Sequence, residues 1–288
     1  GFAGGAIAGF LLTAVATWTQ RPPVAGLPLI ALCGFWSAAR VGALLPDGFG
    51  WGLWASASLL FWAWLLVLMA REVVGAKNLR NYKALVLLLA FLGAEAVFFL
   101  SGPDNFHLME GSLYAGIFLI LGMISLIGGR IIPAFTQNWL RLTQPGRTVQ
   151  LPAFDRIDLI AVGLMTAFAT GLILWPAAMV TGCLGLLAAA AQAARLVRWQ
   201  GWLTRREPLL WVLHLGYAWI PTGFGLLGLT ALGHPGLFDA GLHALTYGAI
   251  GTMILGVAAR VALGHTGRPL LATPAMTIAF WLITLGAL

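Results

Sequence analysis

The chain has 288 residues, of which 60% are hydrophobic and only 9% are charged, and its mean hydropathy is +0.91. Soluble domains carry about 25% charged residues, so this composition excludes an ordinary soluble protein. The net charge of +7 does not require a nucleic-acid partner, because the distribution of the basic residues explains it. The expected surroundings are a lipid bilayer.

Ten apolar segments of about membrane-spanning length follow one another along the chain. They predict helices at roughly 1–18, 27–46, 51–73, 84–100, 106–127, 157–175, 177–198, 208–231, 239–262 and 270–288. Turn residues such as proline, glycine and asparagine separate most of them. The predicted fold is an all-α, polytopic transmembrane helix bundle that forms one domain over residues 1–288.

The connections between these helices alternate between two sides of the membrane. Every Lys and Arg except Arg40 falls on one side, and the charges of the other side are acidic: Asp47, Asp104 and Asp239. The positive-inside rule makes the basic side cytoplasmic. Gly1 and Leu288 are then both expected on the outer side, which in a Gram-negative bacterium is the periplasm.

The longest connection is residues 128 to 156, GGRIIPAFTQNWLRLTQPGRTVQLPAFDR. It is amphipathic and contains three prolines, so we predict a short helix and a loop along the cytoplasmic interface. The chain also begins and ends within apolar runs. We therefore expect a fragment of a longer polytopic protein, truncated at both ends.

Ionisable groups within a membrane are costly and are usually functional or paired. The histidines form an outer set and an inner pair: His107, His234 and His243 outside, and His214 and His265 inside. His214 lies six residues past Pro208, which is about 9 Å along the helix. His265 is expected in the loop that follows the ninth helix.

Imidazoles in an apolar bundle suit haem iron or copper, whereas carboxylate-rich sites suit magnesium, calcium or manganese. We single out His243 and His107 as metal ligands, and His214, His265 and Arg40 as cofactor-binding residues. Arg40 has two possible roles, an ion pair with a carboxylate such as Glu95 or a contact with a haem propionate. The alternative role is a structural hydrogen bond for a histidine within a span, and plain solvation for a histidine in a loop or at a helix end.

Residues 239 to 269 form one apolar segment with His243 near its start and His265 after its end. The topology places these two histidines at opposite faces of the membrane, so they cannot share one metal. Gly248, Thr252 and Gly256 form a stripe of small residues along the segment, which predicts close helix packing.

Several stretches carry a resemblance to a known family: GFAGGAIAGFLLTA (1–14), RPP (21–23), NLRNY (78–82), GGRIIPAFTQNWL (128–140), LHLGYAWIPTG (213–223) and HALTYGAIGTMILGVAARVALGHTGRPL (243–270). On these motifs the chain resembles the NnrS family of haem- and copper-containing bacterial membrane proteins, which is associated with denitrification and nitric oxide metabolism.

The resemblance implies an inner-membrane protein of roughly twelve helices that carries haem and copper. The family's histidines fall on His214, His243 and His265. The family also has a His-x-His-Glu-Met element, which would precede Gly1 and would join His243 on the outer side. Which histidine binds haem and which binds copper stays open.

The leading hypothesis is a haem- and copper-binding protein that protects against nitric oxide, or senses it, during denitrification and nitrosative stress. Its expected partners are the bilayer, nitric oxide as a small ligand, and respiratory or denitrification proteins, but no nucleic acid. The sequence identifies no base, nucleophile or proton path, so no reaction is assigned. The alternatives are a multi-span transporter or exporter, or an assembly scaffold for a respiratory enzyme, without a redox site of its own.

Overall fold

The computed structural model describes residues 2–77, 81–144 and 149–288. Gly1, Arg80 and Arg147 lie outside these ranges, as do the first three residues of the NLRNY motif. The side of the membrane predicted for Gly1, Arg80 and Arg147 therefore stays a prediction.

The regular structure of the described residues is helical and includes no strand, which confirms the all-α prediction. The helices are α1 (Phe2–Thr19), α2 (Leu27–Gly42), α3 (Asp47–Gly75), α4 (Tyr82–Ser101), α5 (Phe106–Thr143), α6 (Arg156–Leu174), α7 (Met179–Arg198), α8 (Pro208–Ala231), α9 (Phe238–His243), α10 (Thr252–His265) and α11 (Pro274–Leu285). A π-helix, Ala244–Gly251, joins α9 to α10.

Eight helical segments of the described chain are long and apolar enough to cross a membrane. This agrees with a multi-pass membrane protein. The other two predicted spans are shorter than expected, because α2 has 16 residues and α11 has 12. A helix that crosses the hydrocarbon core needs about 20 residues.

The chain divides into two compact units, Gly1–Leu119 and Ile120–Leu288. In the first unit, α3 packs against α1, α2 and α4. Glycine permits the close approach of α2 to α3, since a Cβ on Gly42 would lie 2.5 Å from the backbone nitrogen of Trp54. Stacking of Trp62 on Phe91, with ring centroids 4.8 Å apart, joins α3 to α4.

In the second unit, α8 is the central helix and packs against α7, α10, α11 and the π-helix. The contact with α7 is made by glycines, because a Cβ on Gly185 would lie 2.7 Å from Cα of Gly228. Small residues at such a crossing let two backbones approach each other in lipid. This close packing fixes the position of the side chains that α8 presents to its neighbours.

The close packing predicted for the stripe of small residues is made against α8, a partner that the sequence did not indicate. A Cβ on Gly248 would lie 2.6 Å from Cγ of Trp219, and a Cβ on Gly256 would lie 3.0 Å from side-chain atoms of Leu213. Thr252 between them is fully buried. The segment therefore packs along α8 over more than two helical turns.

Two parts of the chain differ from the sequence prediction. Helix α5 does not end near residue 127 but continues through Pro133 to Thr143, so the first half of the predicted 128–156 connection extends the same helix. Further along the chain, Val149 and Leu151 are held to α5 by Gln137, whose amide donates to the carbonyl of Val149 and accepts from the N–H of Leu151. The second difference is His265, which is the last residue of α10 rather than part of a loop.

Candidate functional site

A fully buried arginine lies at the centre of the second unit. Arg195, near the end of α7, has no exposed surface, and its Nε donates to the Asp158 carboxylate of α6 at 2.6 Å. Its Nη1 donates to three oxygens, at 2.6 to 3.0 Å, and its Nη2 donates to the backbone carbonyl of Ser125 at 3.1 Å. The three acceptors of Nη1 are the side-chain oxygens of Ser125, Gln192 and Tyr217. We call these five residues the Arg195 cluster.

The Arg195 cluster joins four helices. Ser125 belongs to α5, Asp158 to α6, Gln192 and Arg195 to α7, and Tyr217 to α8. The Tyr217 hydroxyl also donates to Oε1 of Gln192 at 2.6 Å. Buried charges are tolerated where they are paired and fully hydrogen-bonded, and these contacts meet that condition. The cluster therefore fixes how α5, α6, α7 and α8 lie against one another.

Aromatic rings and a glycine complete the surroundings of Arg195. The guanidinium carbon lies 5.4 Å from the ring centroid of Trp199 and 5.7 Å from that of Tyr217, within the usual range of a cation–π contact. Gly129 of α5 leaves room for the guanidinium, because a Cβ there would collide with Nη2. Gly129 belongs to the GGRIIPAFTQNWL motif, so the structure gives this motif a packing role.

His214 lies one helical turn before Tyr217 on α8 and is only 7% exposed. Its Nε2 is 3.0 Å from the hydroxyl of Thr136 on α5. Its Nδ1 is buried and has no hydrogen-bond partner among the described residues. The Gly201 backbone lies directly against that nitrogen, since a Cβ there would come within 2.6 Å of Nδ1.

An open cavity of about 500 Å³ lies beside His214. Its wall is almost entirely apolar and includes Trp202, Trp211, Leu215, Ala218 and Trp281, together with Arg205 and His214. The rings of Trp211 and Trp281 are 4.7 Å apart. Pockets that bind cofactors are commonly about 300–1,000 Å³, mostly apolar, with a few polar groups. This cavity therefore has the size and composition of a cofactor site.

Acidic side chains cap the starts of α6 and α8. Glu207 caps the start of α8, where its carboxylate accepts from the N–H of Leu209, and burial raises its pKa. Asp155 caps α6 in a reciprocal capping box with Asp158. The Arg198 guanidinium, hydrogen-bonded to Asp155, holds the pKa of that carboxyl well below its usual range. The same carboxylate of Asp158 thus serves both the cap of α6 and the Arg195 cluster.

His243 has different surroundings. It is exposed and is the last residue before the π-helix, and its ring stacks on Tyr247 with centroids 5.3 Å apart. Its Nε2 lies 3.2 Å from the carbonyl oxygen of Gly286, at the end of α11. π-helical turns often accompany functional sites, so the position of His243 next to one is consistent with a functional role. A single imidazole, however, does not form a metal site.

The remaining predicted histidines lie at helix ends. His107, in the first turn of α5, is exposed, with its ring 6.4 Å from that of Phe106. His234 precedes a short 3₁₀ turn, and His265 is exposed at the end of α10. In the described ranges, no group of three or more His, Cys, Asp or Glu side chains is arranged to hold a metal ion.

Of the two roles considered for Arg40, the ion pair with Glu95 is not formed among the described residues. The Glu95 carboxylate instead accepts from the hydroxyl of Ser58 at 2.6 Å, and Nε of Arg40 is buried without a hydrogen-bond partner in the described chain. Arg40 and Glu95 both belong to the first unit, Gly1–Leu119. The role of Arg40 as a cofactor-binding residue stays a prediction.

Sequence reasoning missed the Arg195 cluster, Thr136 and Arg205. It counted Arg195 and Arg205 only as basic residues that orient helices. A signal was available, since Gln192 and Arg195 are three residues apart on one face of an apolar helix, and Asp158 lies near the start of the preceding one. Nothing in the sequence indicated that Thr136 would meet His214, because these residues are 78 positions apart.

The sequence of this chain is similar to that of a known protein family. The family model described as NnrS protein matches residues 1–288, the whole chain. No curated protein and no solved structure matches the chain significantly.

Proposed function

The chain belongs to the NnrS family, and from that premise we propose that it is a haem-binding protein of the bacterial inner membrane that acts in nitric oxide metabolism. The role would be protection against nitrosative stress, or sensing of nitric oxide, during denitrification. The observation that carries the proposal is the apolar cavity of about 500 Å³ with His214 in its wall.

The residues around this cavity fit a haem. A haem is planar and largely apolar, and it needs an axial imidazole and polar partners for its propionates. His214 contributes an imidazole to the cavity wall, and the tryptophans provide flat apolar surfaces. Arg205 is the cation that lines the same cavity. Because it lines the cavity, it is a better candidate for a propionate partner than Arg40.

When bound, the haem iron would supply a coordination position for nitric oxide. The protein's own residues hold the imidazole in place and keep that face of the cavity apolar. His265 and Arg40 stay proposed cofactor-binding residues without a structural argument of their own. The cytoplasmic position of the basic loops, on the side of Arg205, is part of the same proposal.

For copper, the described residues do not form a complete site. His243 and His107 are each exposed, and no cluster of three metal-binding side chains surrounds either of them within the described ranges. Nε2 of His243 is also engaged with the carbonyl of Gly286. We retain both histidines as single proposed ligands and derive no copper chemistry from them.

The test is to purify the full-length protein and to measure its haem spectrum, haem stoichiometry and metal content. The wild type should contain haem, and His214→Ala should lose it. His234→Ala is the matched control, because His234 lies in a loop outside the cavity, and it should keep a full complement.

Two results would count against the proposal. A His214→Ala variant that keeps its haem and its spectrum would show that the cavity is not the haem site. A wild-type protein without haem, coupled with substrate flux across vesicles, would favour the transporter instead. Loss of copper in His243→Ala, with haem retained, would support His243 as a separate metal ligand.

A further inference from the structure

A carboxyl group and a hydroxyl group meet between α3 and α4 in the first unit. Ser58, which is only 4% exposed, donates to Oε1 of Glu95 at 2.6 Å. Glu95 is half-buried, and none of the ion pairs among the described residues includes it. By contrast, the buried carboxylates Glu72 and Asp158 are each paired with arginine. Glu95 is therefore a carboxyl group within an apolar span that is held by a neutral partner.

Aromatic rings enclose this contact on both sides along the helices. Phe98 and Phe99 follow Glu95 by three and four residues on α4, and Phe91 precedes it by four, so all three lie on the same face of the helix. Trp62 of α3 stacks on Phe91, with ring centroids 4.8 Å apart, and these two rings form the second aromatic layer. The first aromatic layer is formed by Trp51, Trp54, Phe98 and Phe99, whose ring centroids lie 5.0 to 6.0 Å apart. The contact between Ser58 and Glu95 lies between the two layers.

The charged side chains of α3 and α4 are far from this contact. On α4, Lys83 is 12 residues from Glu95, which corresponds to about 18 Å along the helix. On α3, the charged residues nearest to Ser58 are Asp47 and Arg71, at about 16 and 20 Å by the same rise. Neither helix therefore brings a counter-ion to Glu95.

The other helices of the first unit do not supply a counter-ion either. Helix α1 has no ionisable side chain, and Arg40 of α2 makes no ion pair among the described residues. In α5, the Tyr114 hydroxyl donates to Glu110 at 2.7 Å, so that carboxyl group has a partner on its own helix. The further ionisable side chains of these elements are Cys33, Tyr82 and His107.

An ionised carboxylate is costly in these surroundings. A buried charge without a counter-ion carries so large a desolvation cost that the group takes up a proton instead. A protonated carboxyl keeps a carbonyl oxygen as an acceptor, which suits the hydroxyl that Ser58 donates. Calcium and magnesium take six or more oxygen ligands, counting water, whereas Glu95 and Ser58 offer three oxygens in an apolar enclosure. The ligand that fits this site is a proton.

We propose that Glu95 is a proton-binding site: its carboxyl group is protonated at neutral pH, is held by Ser58, and exchanges its proton with solvent past the first aromatic layer. That layer lies on the shorter way out, because Glu95 is six residues, about 9 Å, from the end of α4 at Ser101 and about 20 Å from its start at Tyr82. Glu95 belongs to the first unit and the haem cavity to the second, so neither proposal rests on the other.

The test is an infrared difference spectrum between the full-length wild type and Glu95→Gln at neutral pH. Glutamine has nearly the same shape and keeps an acceptor for Ser58. The difference isolates the carbonyl stretching band of a protonated carboxyl, which an ionised carboxylate lacks. We expect this band in the wild type, and we expect it to move to lower frequency in D₂O as deuterium replaces the proton. If the band is absent, Glu95 is ionised. If the band stays in place after long incubation in D₂O, the proton does not exchange, and either result overturns the proposal.

A second pair of variants tests the hydroxyl partner. Ser58→Ala removes the hydrogen bond to the carbonyl oxygen, so the band should move to higher frequency. Ser56→Ala is the matched control on α3, because the Ser56 hydroxyl bonds only to backbone carbonyls of its own helix. Its band should match that of the wild type. A shift in Ser58→Ala alone also identifies the band of Glu95 if Glu95→Gln does not fold, and an unchanged band in Ser58→Ala would contradict the role of Ser58.

The exit path is tested by two phenylalanines that flank Glu95 on the same helix. Phe98→Ala opens the first aromatic layer and should speed the deuterium shift of the band several-fold. Phe91→Ala opens the second layer, on the longer side, and should leave the rate close to that of the wild type. Faster exchange in Phe91→Ala than in Phe98→Ala, or equal rates in both, would rule out exchange past the first layer.

Discussion

Each of the two units contains a buried carboxylate paired with arginine, and the two clusters differ in how exposed the arginine side chains are. In the first unit, buried Glu72 pairs with Arg21 and Arg71, whose side chains are 42% and 56% exposed. In the second unit, Asp158 pairs with Arg195, and neither side chain is more than 4% exposed. An exposed arginine can exchange its partner for water, whereas a buried one cannot.

The difference explains why only the second cluster specifies a geometry. Arg195 has an acceptor or an aromatic ring on each side, and its acceptors come from four helices. The arginines of Glu72 need no further partners, because solvent or lipid headgroups can reach them. We therefore expect substitutions at the Arg195 cluster to disturb the site beside it, and substitutions around Glu72 to be tolerated.

The largest effect is expected when Arg195 alone is removed. Arg195→Met leaves the Asp158 carboxylate buried without its cation, which typically costs about 3–5 kcal/mol. Combining it with Asp158→Asn removes the unpaired charge and keeps an acceptor for the N–H of Asp155, so the double variant should recover much of the loss. Reversible unfolding in mixed micelles measures the free energy of unfolding of the single and the double variant. A double variant less stable than the single one would contradict this account of the pair.

A smaller effect is expected from filling the space beside Arg195. Gly129→Ala would push a methyl group against the guanidinium, and overpacking of this kind costs about 1–3 kcal/mol. Gly163→Ala on α6 is the control, because a Cβ there meets nothing within 4 Å. Alanine in place of an open helical glycine should instead stabilise the protein by roughly 0.5–1 kcal/mol. Equal effects of both substitutions on the unfolding midpoint would count against close packing at Gly129.

A substitution beside Glu72 in the first unit should lower the free energy of unfolding by less. Arg21→Ala removes one of the two cations of Glu72 and leaves Arg71, whose Nε and Nη2 both lie within 2.9 Å of the carboxylate. Exposed ion pairs contribute about 0–1 kcal/mol, so the change in unfolding free energy should stay below that limit. A loss as large as that of Arg195→Met would remove the contrast between the two clusters.

The smallest effect concerns pH. Because Arg198 lowers the pKa of Asp155, their ion pair contributes fully above the unfolded carboxyl pKa of about 3.9 and is lost as the pH falls towards the lower folded value. Asp155→Asn keeps a side-chain acceptor for the cap of α6 but removes the charge. The wild type should melt slightly higher than this variant at pH 5 to 7, and the difference should shrink below about pH 4. A difference that grows with acidity would have the wrong sign.

Hydropathy and charge segregation were sufficient to predict the helices and the multi-pass class of the fold. They did not predict that α5 would continue past residue 127, because Pro133 and the polar residues after it are typical of a helix end. The length of α5 depends on packing within the second unit, and the periodicity of the sequence does not reveal that packing.

The candidate site was only partly predictable. The sequence identified His214, since an imidazole in an apolar segment stands out, but not the contact with Thr136 or the cavity beside Gly201. These depend on where α5 and α8 meet, which the Arg195 cluster determines from side chains far apart in sequence. Arg40 was identified because it lies deep in a span, yet Arg205 lines the cavity and resembled an ordinary loop cation.

The most direct test of the haem site is the spectrum of a His214→Gly variant with and without free imidazole. The substitution removes the side chain and leaves a space that imidazole can fill from solution. We expect the variant to lack bound haem or to show an altered spectrum, and added imidazole to restore the wild-type spectrum. A His214→Gly protein that carries haem with the wild-type spectrum in the absence of imidazole would contradict the assignment of His214.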